Sequence, residues 1–250
     1  MTPLSDSREE ARRVVVYADE HGIAMRLLGG LAIHLHSPSA THRALAREYP
    51  DLDFLSAERR SDRVEPVLVE LGYEPNKSFN LYNGDRRLLF SDSRHARQVD
   101  VFLGRFVMCH TIPLLERLTS EPITLPLAEL LLTKLQIVEM NDKDVRDVCA
   151  LVLDHPLGSF DEETVNVGRV QQLCADDWGL WKTVTLSLAK VGEGAARLDL
   201  EPWARNTIVE RLQALGSALV ETPKSLRWKM RAKIGEKVPW FELPEEVRRG

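Results

Sequence analysis

The first half of the chain alternates between helical and strand-like spacing of its apolar residues. Ser5-Asp6-Ser7 can cap a helix with Glu9 and Glu10 in its first turn; the helix runs to about Glu20 and ends at Gly22. Residues 23–28 read as a short strand, 31–35 as a helix, 37–50 as a polar loop and 52–55 as a second strand. Val64, Val67, Leu68 and Leu71 recur at helical spacing across 60–71, and Gly72 stops that helix. Residues 79–82 and 87–90 flank Asn83-Gly84-Asp85, which predicts a hairpin. Residues 98–103 form the next strand, so the first ~120 residues imply helices around a mixed sheet.

After Pro122 only the helical period persists. Residues 127–140, 143–153, 165–173, 178–191, 202–220 and 225–234 all read as helices, and no strand is expected beyond Asp161. The expected fold is α/β (α+β): a small mixed β-sheet flanked by helices, then an all-helical C-terminal region. The expected division is 1–122 and 123–250, with the boundary near Pro122 to Pro126.

The 250 residues are enough for one large domain or two small ones with a proper core. A net charge of −5 argues against a bulk polyanion binder, so any nucleic-acid surface must be local. Cys109, Cys149 and Cys174 are odd in number, far apart and without a Cys-x-x-Cys, which predicts reduced thiols in a cytoplasmic setting. The polar start is not a secretion signal, and no apolar run approaches the ~20 residues of a membrane helix, so no membrane partner is expected.

One ordered set of residues points to a reaction. Gly29-Gly30 follows an apolar strand and opens a helix. Asp51 and Asp53 stand two apart in the next strand, and Asp100 interrupts the later apolar run Val99 to Leu103. Residues i and i+2 of a strand share a face, and two carboxylates so placed repel unless a cation lies between them. Mg²⁺ is the natural occupant, because it prefers oxygen, keeps waters and binds substrate phosphates. Asp100 can complete such a site, in a two-metal arrangement with ions roughly 3.5–4 Å apart, or act as the base for an acceptor hydroxyl. The glycines let phosphates approach backbone N–H groups at a helix start. A plainer reading stays open: Asp51 and Asp53 sit in water at a loop–strand junction, and Asp100 pairs with a nearby arginine.

These residues resemble the nucleotidyltransferase superfamily with the polymerase-β-type fold, and more closely its AbiEii-like branch, which includes toxins of type IV toxin–antitoxin systems. The matching stretches are Gly29 to His34, Arg47 to Phe54, Gln98 to Val101, Leu127 to Lys134 and Lys143 to Asp147. The resemblance implies transfer of an NMP from an NTP to an acceptor hydroxyl. The acceptor would be an RNA 3′ end such as that of tRNA, a protein or a small molecule, and a cognate antitoxin protein is an implied partner. It further implies Mg²⁺ on Asp51 and Asp53, phosphate contacts from Gly29, Gly30 and Lys134, and Asp144 beside the active site, with Asp147 a further carry-over. The second glycine departs from the Gly-Ser turn of much of the superfamily. A non-catalytic copy that binds nucleotide or a partner protein is the alternative.

Other residues carry open readings. Arg43 and Arg47 can clamp triphosphate oxygens, or serve as loop charge paired with Glu48. Lys134 can snorkel from an apolar helix face. Lys143, Asp144, Arg146 and Asp147 can pair along a solvated helix face. Six cations between Lys224 and Lys237, interleaved with Trp228, form the best candidate for a nucleic-acid contact or else a solvated helix face.

Overall fold

The computed structural model describes residues 1–243. The chain divides into two compact units. The first takes Met1–His36, Arg47–Phe106 and Ile112–Pro126; the second takes Ser37–Ala46, Val107–Thr111 and the chain from Leu127 on. Segments 37–46 and 107–111 thus belong with the second unit, and the last part of the expected 123–250 region, 244–250, lies outside the described residues.

The first unit opens with α1 (Ser7–Glu20), capped by the Asp6 carboxylate, which accepts from the amides of Arg8 and Glu9 at 2.8 and 3.1 Å. Ala11, Val14, Val15 and Ala18 form its buried face. There follow β1 (Met25–Leu28), α2 (Gly29–His36), β2 (Asp51–Ser56), α3 (Ser61–Glu70), β3 (Glu74–Pro75), α4 (Lys77–Asn83), β4 (Arg87–Asp92) and β5 (Arg97–Leu103). The sheet order is β1-β2-β5-β4-β3. β2 and β5 are parallel, and the other neighbours are antiparallel, so the sheet is mixed. Residues 123–125 add a bridge to β1: Leu27 donates to Ile123 O at 2.9 Å, and Leu125 donates to Leu27 O at 3.1 Å. Leu27, Leu52, Phe54, Leu55, Leu88, Phe90, Val99 and Val101 are buried in the core of this sheet.

The hairpin expected around Asn83-Gly84-Asp85 is not formed. Residues 77–83 are helical because Asn76 caps them, its side chain accepting from the Phe79 amide at 3.1 Å. The Asn-Gly pair ends that helix. β4 turns back through Asp92 instead, whose carboxylate accepts from the amides of Arg94 and His95 and brings β5 alongside.

The two-residue strands β6 (Phe106–Val107) and β7 (Thr111–Ile112) pair with each other. The second unit is otherwise helical: α5 (Leu127–Leu135), α6 (Asp142–Asp154), α7 (Val167–Asp176), α8 (Trp178–Arg197), α9 (Pro202–Glu221) and α10 (Leu226–Ile234). A two-residue parallel pair, β8 (Leu157–Gly158) with β9 (Val165–Asn166), corrects the expectation of no strand beyond Asp161; it is too short to carry a period. α8 is the central helix, packed against α6, α7 and α9. Among the described residues, no helix is long and apolar enough to cross a membrane.

Candidate active site

The first unit brings Gly29, Asp51, Asp53 and Asp100 into one neighbourhood through sheet register. In β2, Leu52 and Phe54 are fully buried whereas Asp51 and Asp53 are only half-buried, so the two acids share the opposite face. Leu28 of β1 is the antiparallel partner of Asp53, so Gly29 is the next residue past that pairing. Gly29 has φ +73°, and a Cβ there would overlap Oδ2 of Asp53 and lie 3.2 Å from its Cγ. Only glycine satisfies both demands. α2 begins at this residue rather than at Leu31 as expected, so Gly29 and Gly30 form its buried first turn.

On the other side of β2, Asp53 is the parallel register partner of Asp100, and Asp51 that of Gln98. Register partners on adjacent strands lie about 4.8 Å apart and on one face. Asp100 is 4% exposed and is held by Arg87 of β4. Arg87 Nε donates to both oxygens, at 2.8 and 3.0 Å, and Nη2 donates to Oδ2. The guanidinium carbon lies 5.1 Å from the Phe102 ring centre and 5.9 Å from that of Phe79. The nearby arginine of the plainer reading of Asp100 is thus Arg87.

Two carboxylates on one strand face beside a glycine turn suit a hard dication that takes its remaining ligands from water and phosphate. Among the described residues, no group of three or more His, Cys, Asp or Glu side chains gathers to hold a metal. Both oxygens of Asp100 accept from Arg87. Sequence reasoning missed Arg87. Its only signal was an arginine in a strand beside one that carries a buried acid.

Arg47 also lies in this unit. Its Nη1 donates to Glu48 O at 2.8 Å, and its guanidinium covers the Tyr49 ring at 4.0 Å; Tyr49 in turn stacks on His34 of α2 at 4.6 Å. Arg43 belongs to the second unit and pairs there with Asp199, both side chains more than three-quarters exposed.

The second unit carries Lys134, Asp144 and Asp147 as a buried triad. Lys134 Nζ lies 2.8 Å from Asp144 Oδ1 and 2.9 Å from Asp147 Oδ2. Burial alone would lower the lysine pKa, but the two carboxylates outweigh it and hold the amine charged above the ordinary lysine range. Lys134 therefore does not snorkel. Asp144 and Asp147 are not on a solvated face either, since both are buried. Asp144 also completes a capping box: its Oδ2 accepts from the Asn141 amide at 3.2 Å.

The basic stretch from Lys224 to Lys237 does not present its aromatics. Trp228 packs edge-on against Trp181 at 5.2 Å, and Arg231 lies 4.8 Å over the Trp178 ring. Trp178, Trp228 and Arg231 line, with Trp240 and His110, a cavity of ≈ 550 Å³ in the second unit.

No family model and no curated protein matches the sequence. Several solved structures are similar, three of which follow. An antigenic nucleotidyltransferase-like protein from Paracoccidioides brasiliensis is 16% identical over 90% of this chain and 97% of its own, with a TM-score of 0.42. The antibiotic-resistance factor ANT(2″)-Ia is 11% identical over 90% of this chain and 95% of its own, with a TM-score of 0.37. A tRNA-processing enzyme is 14% identical over 89% of this chain and 59% of its own, with a TM-score of 0.31.

Proposed function

We propose that the chain is a Mg²⁺-dependent nucleotidyltransferase that moves an NMP from an NTP to an acceptor hydroxyl. The observation that carries this reading is the contact of Asp53 with the Gly29 turn, with Asp51 on the same strand face. Asp51 and Asp53 would hold the dication, which when bound supplies positive charge to the phosphates. The N–H groups of the α2 first turn, bare of Cβ atoms at Gly29 and Gly30, offer donors to the same phosphates. In the reaction, the acceptor oxygen bonds to the α-phosphorus as the bond to pyrophosphate breaks, and the acceptor proton leaves to a base. The acceptor class proposed is an RNA 3′ end such as that of tRNA, a protein side chain or a small molecule.

A second reading has one observation in its favour. Arg87 neutralises Asp100, which removes the third acid from the reacting centre and suits a chain that binds nucleotide without turning it over. Incubation with each α-labelled NTP, Mg²⁺ and total RNA separates the two. The enzyme transfers label to RNA or protein, and Asp53→Asn abolishes it. Nucleotide binding without transfer to any acceptor selects the second reading.

A further inference from the structure

Within the second unit, α10 packs against α7 and α8. Trp228, edge-on to Trp181, and Arg231, over the Trp178 ring, face that packing. The helix is held in place at both ends. The Ser225 hydroxyl accepts from the Trp228 amide at 3.1 Å, and Arg231 Nη1 donates to Gly235 O at 2.7 Å. Docking through its outward side therefore carries no cost of ordering a helix.

That outward side has a composition of its own. Six residues of α10 are exposed: Leu226, Arg227, Lys229, Met230, Lys233 and Ile234. Each is either apolar or basic. Leu226, Met230 and Ile234 recur every four residues and form one stripe, 73%, 56% and 46% exposed. At about 100° per residue, Arg227 stands about 60° to one side of Met230 and Lys233 about 60° to the other, with Lys229 beyond Lys233. Glu236 is the one acid between Lys224 and Lys237, and it pairs with Lys182 at 2.7 Å.

An aliphatic stripe fenced by cations narrows the choice of partner. A nucleic acid rewards cations and stacking rings, but Trp228 is turned inward and leucine, methionine and isoleucine offer no ring. A standard protein interface takes about 20–30 residues a side, and α10 exposes six. An anionic bilayer needs no such footprint. Aliphatic side chains enter the boundary between headgroups and acyl chains, and flanking cations meet the headgroups. The expectation of no membrane partner concerns a spanning run, and a helix lying in this boundary spans nothing.

We propose that the outward face of α10 docks on an anionic phospholipid surface, with Leu226, Met230 and Ile234 inserted and Arg227, Lys229 and Lys233 on the headgroups. The attachment is reversible, because one short stripe falls well short of a permanent anchor. It is independent of the nucleotidyl-transfer reading of the first unit.

Co-sedimentation of the whole protein with vesicles of phosphatidylcholine and roughly one-third phosphatidylserine tests it. The wild type pellets with these vesicles, is released by raised salt, and does not pellet with phosphatidylcholine alone. Met230→Ser weakens the binding about tenfold, and Met230→Leu retains it. Lys229→Gln and Lys233→Gln each weaken it about fivefold. These three positions are exposed, so the variants keep the fold, which circular dichroism checks. A wild type that does not pellet with the anionic vesicles overturns the proposal. Binding that Met230→Ser leaves unchanged also overturns it, because charge alone would then account for the attachment. So does a wild type that binds labelled single-stranded RNA in place of vesicles, or a dimer in light scattering that Met230→Ser breaks, which would put a second copy on the stripe.

Discussion

Gly29 and Asp53 touch because Leu28 and Asp53 are register partners, which puts the turn after β1 directly against the carboxylate. A Cβ at position 29 meets both the strain of φ +73° and the side chain of Asp53. Gly29→Ala therefore costs about 1–2 kcal/mol from the backbone alone, plus the cost of moving the carboxylate. Urea unfolding should give a loss of at least that size, with weakened metal binding. A stability equal to wild type would mean the turn has another conformation in solution.

Lys134 neutralises two buried acids. Lys134→Met should destabilise the protein by about 3–5 kcal/mol, because Asp144 and Asp147 would then be buried without their cation. The folded-state pKa is raised, so the stabilisation is complete below the ordinary lysine range and is lost as pH climbs through the folded value. Denaturant unfolding at neutral pH and at strongly alkaline pH reads both effects. A Lys134→Met protein as stable as wild type would mean the triad is not formed.

His110 predicts an acid-side dependence. It is buried, with Nε2 2.8 Å from Thr183 Oγ1, and burial lowers its pKa although Asp177 nearby opposes this. The unfolded chain takes up a proton near pH 6.5 and the folded chain resists it. Stability is thus full above that pH and falls below it, by up to about 1.4 kcal/mol per pH unit over the shifted window. His110→Asn should flatten the difference between pH 7 and pH 5 in chemical unfolding. An unchanged slope would place the acid sensitivity elsewhere.

Much of the first unit was legible because it is local. The cap at Asp6, the apolar face of α1, and the alternation that points Asp51 and Asp53 one way all follow from periods and short-range chemistry. The register was not legible, because pairing Asp53 with both Leu28 and Asp100 depends on which strands become neighbours. Asn83-Gly84 misled because that dipeptide ends a helix as readily as it turns a hairpin; the capping side chain of Asn76 decides between them. Lys134 looked amphipathic within its own helix. Its partners lie ten and thirteen residues on, in α6, where no spacing rule reaches.

Isothermal titration of a non-hydrolysable NTP, with and without Mg²⁺, tests the carboxylate site most directly. Nucleotide should bind wild-type protein only when Mg²⁺ is present, and Asp53→Asn should abolish that binding while leaving the protein folded. Equal binding without Mg²⁺, or undiminished binding by Asp53→Asn, would show that Asp51 and Asp53 do not hold the ion on which the proposed transfer depends.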